Sequence, residues 1–155
     1  MPLKVSLAET IAAPPDKVWA ALVHIPTWPL WVPNLIRLEV ANDAPLAVGS
    51  EWCEVRQTYE REASEHYQVT ALEPERLLAL HVDGRKGATG RGDYHFRYRL
   101  DPVPMGTRIQ LEADILDMGW LFRRVIGRLF HRGIRATLAA DLTAFKRHVE
   151  SLSPR

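Results

Sequence analysis

Apolar and polar residues alternate one by one over several parts of the chain. In the segment 3–11 the odd-numbered positions are apolar except for Glu9. The same period of two runs through 92–101 and 106–116, where charged side chains alternate with aromatic and aliphatic ones. Because successive side chains of a strand point to opposite faces, this pattern predicts strands with one buried face.

Further strands are predicted between these segments, because turn signals rich in glycine, proline and acidic residues separate short apolar runs. The predicted strands lie near 3–11, 35–40, 50–60, 63–73, 76–83, 92–101 and 106–116. Short connections between successive strands favour antiparallel pairing, since parallel pairing needs a long crossover. The sequence therefore predicts an antiparallel sheet with one face exposed to water.

Two segments depart from the period of two and predict helices. The first begins at Pro15 and ends before Pro26, and the following Pro29 and Pro33 allow one more short turn of helix. The second runs from about 118 to 151 with a period near 3.6 residues, and its apolar side suits a cover for the sheet. The predicted fold class is α+β, with about seven strands wrapped around a long C-terminal helix and two short helices after the first strand.

Length, charge and cysteine content exclude several classes of protein. A chain of 155 residues has the size of one domain, and we predict a single domain over 1–155. The net charge of +1 gives no general attraction to nucleic acid or to a membrane. The single cysteine, Cys53, cannot form an internal disulfide, and no apolar run is long enough to span a membrane. We expect a cytoplasmic monomer or homodimer without a nucleic-acid partner.

Signatures of common enzyme classes are missing from the sequence. It contains no G-x-S-x-G, H-E-x-x-H or C-x-x-C motif. The six histidines are scattered without the spacing of metal ligands. We therefore expect no metal and no cofactor.

Several motifs resemble those of a known superfamily. The stretch TIAAPPDKVWAALVHIPTWPLWVPNL, at 10–35, is similar to the opening signature of the START-like SRPBCC superfamily, which includes polyketide cyclase/dehydrase-type proteins. The later landmarks are AVGSEW, YQVTALEPERLLAL, YRLDPVPMGTRIQLE and DLTAFKRHVES. The resemblance implies a helix-grip fold with a deep cavity between the concave sheet and the C-terminal helix.

The resemblance leaves two functions open. The superfamily includes lipid carriers, hormone and pigment binders, and cyclases. One implied function is binding of a small, largely hydrophobic ligand, such as a lipid, a polyketide or an aromatic compound. The other is an enzyme of the cyclase, aromatase or dehydratase type, in which polar residues of the cavity transfer protons.

Two tryptophans in the proline-rich segment are candidates for the cavity wall. Trp28 and Trp31 lie on a stiff tether, so ordering them around a ligand costs little conformational entropy. Large aromatic side chains also dominate protein cores, and core packing is the alternative for both residues.

Further ligand-binding candidates lie on a late strand and on the long helix. Tyr94, Phe96 and Tyr98 share an apolar strand face opposite charged residues, which predicts that they line the inner wall. On the helix, Phe122 and Ile126 cluster on the side predicted to face the sheet.

Glu9 is the candidate catalytic residue. It falls in register with the apolar positions of the first strand, so an ideal strand points its carboxyl inward, where it suits proton transfer. Pairing with a cation, or a bulge near the strand end, is the alternative. The direction of His81 stays open because both faces of its strand are apolar.

The long helix also carries arginines between 124 and 135 on one side. A solvated outer face is the simplest interpretation of this stripe. The alternative is peripheral docking to an anionic membrane, with Trp120, Leu121 and Phe122 as insertion points.

Overall fold

The computed structural model describes residues 3–40, 44–58, 60–86 and 92–152. Within these residues, seven strands form one antiparallel sheet in the order β1-β7-β6-β5-β4-β3-β2. They are β1 (Leu3–Ile11), β2 (Leu35–Val40), β3 (Glu51–Thr58), β4 (Arg61–Glu73), β5 (Leu77–Asp83), β6 (Asp93–Val103) and β7 (Gly106–Leu116). Strands β2 to β7 pair in chain order, and β1 closes the series against β7. The predicted antiparallel sheet is confirmed.

Two short helices follow β1, as predicted. Helix α1 (Pro15–Val23) begins at a proline, whose missing N–H would have no partner in the first helical turn anyway. A 3₁₀ turn, Ile25–Leu30, follows directly and contains Pro29. Because proline cannot donate a backbone hydrogen bond, the segment cannot extend into a longer α-helix.

The C-terminal helix is divided into α2 (Trp120–Val125) and α3 (Gly127–Leu152). Ile126 leaves helical geometry, with φ −117° and ψ −9°, although its amide still donates to the carbonyl of Phe122. The predicted single helix from 118 to 151 is therefore interrupted near its start. Ile126 and Gly127 are both weak helix formers, which favours an interruption here, although Gly133 and Ile134 lie within α3 without one.

The core lies between the concave face of the sheet and α3. Along β7 every second side chain from Thr107 to Ile115 is buried, and these side chains face the helix layer. Leu138, Leu142 and Phe145 of α3 pack against them. Full burial of each such apolar side chain contributes about 1.5–3 kcal/mol to stability.

Side chains of α3 also cover the outer edge of the sheet, which is β1. His131 and Arg135 contact the backbone carbonyls of Lys4 and Ser6 at 3.0 and 3.3 Å. Further along the helix, Lys146 donates to the carbonyl of Thr10 at 2.6 Å. The helix is thus joined to β1 along most of the strand.

Candidate functional site

A cavity of about 410 Å³ lies between the sheet and α3. Its apolar wall is formed by Val82 of β5, Phe96 of β6, and Phe130, Ile134 and Leu138 of α3. Ligand pockets in proteins usually have volumes of about 300–1,000 Å³ and mainly apolar walls. The cavity has the size and lining of a site for a small organic molecule.

Polar side chains meet on the β3–β4 side of this cavity. Arg56, Glu65, Tyr67 and Asp141 all contribute to its lining. Strand pairing places Glu65 opposite Glu54, so these carboxyls project from neighbouring strands toward the helix. The arrangement gives the apolar cavity one polar wall, which we call the charged wall: Glu54, Arg56, Glu65 and Asp141.

Arg56 is the centre of the charged wall. Its Nη1 and Nη2 donate to the two carboxylate oxygens of Asp141 at 3.3 and 3.2 Å, and its Nε donates to Oε2 of Glu54 at 3.2 Å. A planar guanidinium suits this bidentate geometry, which fixes orientation as well as charge. Arg56 therefore ties α3 to β3 at the edge of the cavity.

One guanidinium faces three carboxyls in this wall, and burial decides their protonation. Burial raises the pKa of Glu54 and of Asp141, with Arg56 partly opposing the effect. Oε1 of Glu54 is buried without a hydrogen-bond partner among the described residues. Removing a carboxylate from water without enough compensating contacts favours its protonated form.

Among the residues of the charged wall, Glu65 has the pKa best suited to proton transfer near neutral pH. Burial raises the pKa of Glu65 to about 7, Arg56 lowers it in part, and the charge of Glu54 raises it further. A carboxyl with a pKa near neutrality can both donate and accept a proton at physiological pH. The side chain also lines the cavity directly, so a bound ligand can reach it.

Two tyrosines supply neutral hydroxyls near this wall. Burial raises the pKa of Tyr67 and of Tyr98 above the ordinary value, and nearby carboxylates raise both further. Both hydroxyls therefore keep their protons and can donate hydrogen bonds. Tyr67 lines the cavity, whereas Tyr98 lies beside it on the same face of the sheet.

The structure brings two of the predicted ligand-binding residues, Tyr94 and Phe96, into the cavity lining. Phe122 lies outside the cavity lining and packs against Phe130, with the two ring centroids 5.4 Å apart. Ile126 is 43% exposed at the interruption of the helix and does not contribute to the lining.

Trp28 and Trp31 lie outside the cavity lining, in an aromatic cluster within the core. Their ring centroids are 5.3 Å apart, and Trp31 lies 4.9 Å from Phe145 of α3. The indole N–H of Trp28 donates to the carbonyl of Leu22 at 3.0 Å. Trp52 contacts Trp28 on one side and Tyr67 on the other, so this cluster reaches the charged wall. The placement favours core packing for both tryptophans.

Glu9 lies on the inner face of the sheet, where it is half-buried opposite the fully buried Ile109. It is separate from the cavity described above and does not contribute to its lining. His81 points the other way and lies on the convex face, in register with His95.

Sequence reasoning missed all four residues of the charged wall. In β3 both faces carry residues that suit burial, so alternation gives no direction for Glu54 and Arg56. A usable signal exists in α3, where Asp141 falls directly beside Leu142 and three residues after Leu138 in an apolar stripe. A buried carboxyl is usually paired with a cation or protonated, so this position predicts either a nearby arginine or lysine or a raised pKa.

Cys53 lies on the convex face beside His66, with Sγ 3.3 Å from Nδ1 of the imidazole. The other ring nitrogen of His66 contacts Glu51 at 3.2 Å. Burial raises the pKa of Cys53, and the charges of Glu39 and Glu51 raise it further. The protonated thiol is a weak nucleophile, so this row of residues lacks the activation that thiol catalysis needs.

A curved antiparallel sheet that encloses a cavity against a long C-terminal helix defines the helix-grip class of proteins. The chain belongs to the polyketide cyclase/dehydrase and lipid transport family, whose sequence pattern matches residues 2–150. No curated protein sequence matches the chain.

Solved structures with the same fold extend over nearly the whole chain. The protein TTHA0849 from Thermus thermophilus is 16% identical, with a TM-score of 0.77 over 98% of this chain and 100% of that one. Ara h 8.0201 is 15% identical, with a TM-score of 0.77 over 97% and 99% of the two chains. The Zhui aromatase/cyclase from Streptomyces is 17% identical, with a TM-score of 0.73 over 97% and 94%. At these identities the likeness shows the fold alone.

Proposed function

We propose that the protein binds a small, largely hydrophobic molecule, such as a lipid, a polyketide or an aromatic compound, in the cavity between the sheet and α3. The supporting observation is the cavity itself, which has an apolar wall and a single charged wall. Apolar walls provide most of the binding free energy of such a ligand, and a few polar groups fix its orientation. The polar groups present suit a ligand with a carbonyl or hydroxyl group at one end.

Gly133 offers a direct test of this site. It lines the cavity, and a Cβ built at this position meets no atom within 4 Å. A leucine at this position therefore adds apolar atoms at the cavity lining without a collision at Cβ, and replacing a helical glycine also favours helix formation by about 0.5–1 kcal/mol. Gly133→Leu should occupy the ligand volume without destabilising the fold.

The experiment is a fluorescence titration of the protein with Nile red, a neutral hydrophobic probe. We expect one saturable site in the wild type and at least tenfold weaker binding in Gly133→Leu, with an unchanged or higher melting temperature. Ala140→Leu, on an exposed position of the same helix, is the matched control and should bind as the wild type does. Equal binding by all three proteins would contradict the proposal.

A cyclase or dehydratase activity is the second candidate function, and Glu65 is the observation that favours it. A carboxyl with a pKa of about 7 on the cavity wall, beside a neutral tyrosine and a fixed guanidinium, suits transfer of a proton to or from a bound carbonyl compound. Glu65→Gln keeps the shape of the side chain and removes the titration. An enzyme should lose turnover of a polyketide model substrate by about 10²-fold or more while keeping Nile red affinity. A carrier shows no turnover in either form.

We further propose that a patch of exposed apolar side chains on α2 and the first turn of α3 docks to a membrane surface. Trp120 and Leu129 are 72% and 73% exposed, and Leu121 and Val125 are exposed beside them. Beside the patch, Trp120 and four arginines of the same helices line a groove of about 600 Å³. Exposed apolar groups ringed by cations suit peripheral docking to an anionic bilayer.

No helix among the described residues is long and apolar enough to cross a bilayer. The docking that we propose is peripheral, and the cytoplasmic location remains a prediction. Cosedimentation with phosphatidylcholine vesicles, with and without phosphatidylserine, tests this proposal. Leu129→Ser should abolish binding to the anionic vesicles, whereas Met105→Ser, an exposed apolar residue on a distant turn, should not. Concentration-dependent dimerisation that Leu129→Ser removes, without vesicle binding, would assign the patch to a second copy of the chain.

A further inference from the structure

Two histidines and an aspartate converge on the convex face of the sheet, away from the cavity. His81 of β5 and His95 of β6 are direct partners in the strand register, and their rings stack with centroids 4.8 Å apart. Asp93 precedes His95 by two residues and therefore lies on the same face. Strand pairing thus brings together three potential ligands from two different strands.

The three side chains lie close enough together to share one metal ion. Nε2 of His81 contacts Oδ1 of Asp93, and Nε2 of His95 lies 3.3 Å from Oδ2 of the same carboxylate. One ligand atom from each residue lies within 4.8 Å of the other two. In a tetrahedral site with bonds of about 2.0–2.1 Å, ligand atoms are separated by roughly 3.3 Å. Binding of one ion therefore requires the two imidazoles to turn toward this separation.

Among the described residues, the side chains around the cluster leave room for a water ligand. The side chains of His81, Asp93 and His95 are 26%, 33% and 38% exposed, so water has access to the site. Two further carboxylates lie on this face, Asp83 opposite Asp93 and Asp114 opposite His95. Asp83 already pairs with Arg85 at 3.0 Å, and Asp114 pairs with Arg97 at 3.1 Å. Three protein ligands and one water complete a four-coordinate site.

We propose that His81, Asp93 and His95 bind a borderline divalent transition metal, with Zn²⁺ as the representative ion. Two imidazoles and one carboxylate are ligands that Zn²⁺ accepts, and hard cations such as Mg²⁺ prefer an all-oxygen set. The spacing of histidines along the sequence gives no sign of this site, because the ligands meet only through the pairing of β5 with β6.

The strands that carry the three ligands also form part of the cavity wall. Val82, Tyr94 and Phe96 alternate with the ligands along the same two strands, and all three line the cavity from the inner face. A metal ion that joins β5 to β6 on the convex face therefore holds this wall of the cavity from behind.

The test uses the full-length, tag-free protein after treatment with a chelator. Titration with Zn²⁺ in a calorimeter should show one site per chain, and Asp93→Asn and His95→Gln should each weaken binding by at least tenfold. His66→Gln is the matched control, because His66 is a half-buried histidine on the same face with its own carboxylate partner. It should bind Zn²⁺ as the wild type does. Circular dichroism of the metal-free variants confirms that each is folded.

Cobalt substitution gives an independent readout that does not depend on any variant. Co²⁺ at a site of two imidazoles and one carboxylate shows visible absorption without the near-ultraviolet charge-transfer band of a thiolate ligand. A thiolate band, or loss of binding in His66→Gln, would assign the metal to Cys53 and His66 and overturn the proposal. Absence of saturable Zn²⁺ binding in the wild type would overturn it as well.

Discussion

Arg56 and Asp141 lie 85 residues apart in the sequence, and their side chains form two hydrogen bonds, of 3.3 and 3.2 Å, that join β3 to α3. The contact is largely buried at the edge of the cavity, where Glu54 shares the same guanidinium. It therefore sets both the distance between helix and sheet and the charge of the polar wall.

Replacing Arg56 should destabilise the fold strongly. Arg56→Met leaves the buried carboxyls of Glu54 and Asp141 without their cation, and we expect a loss of about 3–5 kcal/mol in the free energy of unfolding, measured in urea. Arg37→Met is the control, because the partners of Arg37 among the described residues, Glu39 and Glu62, are exposed, and it should cost less than about 1 kcal/mol. Similar losses in both variants would contradict the structural role of the charged wall.

Stability should depend on pH through Glu65. Its pKa is about 7 in the folded protein against an ordinary value of 4.5, so the folded state holds this proton more tightly. The resulting stabilisation is complete below about pH 4.5 and is lost as pH rises through about 7. Relative to Glu65→Gln, the wild type should lose about 1–3 kcal/mol over this interval. Glu62→Gln, an exposed residue of the same strand, is the control. Its pH profile should follow that of the wild type, and parallel profiles for the wild type and Glu65→Gln would refute the assignment.

The two tryptophans of the aromatic cluster should respond differently to substitution. Trp28→Phe removes an indole that donates to the carbonyl of Leu22, whereas the indole N–H of Trp31 has no partner among the described residues. We therefore expect Trp28→Phe to lower the free energy of unfolding more than Trp31→Phe, by about 1 kcal/mol. Nile red affinity should change less than threefold in both. A larger loss of affinity at unchanged stability would place these rings in the ligand site after all.

Gly106 should tolerate no side chain. Its φ of +141° is unfavourable for other residues, and an added Cβ would lie 2.2 Å from the carbonyl oxygen of Ile11. Gly49 also has a positive φ, +92°, but a Cβ added there meets no atom within 4 Å. A substitution at Gly49 therefore measures backbone strain without a steric collision. Gly49→Ala should cost about 1–3 kcal/mol and Gly106→Ala clearly more, as measured by thermal unfolding. Equal losses of stability in the two variants would show that the backbone near Ile11 and Gly106 shifts to accept the added Cβ.

The strands and helices were predictable because their signals are local. For β7 the predicted limits, 106 and 116, coincide with the observed ones, since alternation and a proline- and glycine-rich turn act over a few residues. The interruption at Ile126 was not predicted. The apolar periodicity continues across it, while the backbone departs from the helix where a β-branched residue meets a glycine.

The charged wall was not predictable in the same way, because it depends on contacts between distant segments. The register of β3 against β4 determines which face Glu54 lies on. The sequence of neither strand alone predicts this register. His81 illustrates the same limit, since its partner is known only once β5 is paired with β6. Only Asp141, a carboxylate within an apolar helical stripe, carried a local sign of its role.

The contacts of α3 with the backbone of β1 have a consequence for the behaviour of the protein at high concentration. An uncovered edge strand offers free carbonyl and amide groups to another molecule and so promotes aggregation through added strands. Here His131, Arg135 and Lys146 occupy outward carbonyls of β1, and the opposite edge, β2, is only six residues long. The helix that closes the cavity therefore also covers the β1 edge of the sheet. It prevents a second molecule from adding a strand there.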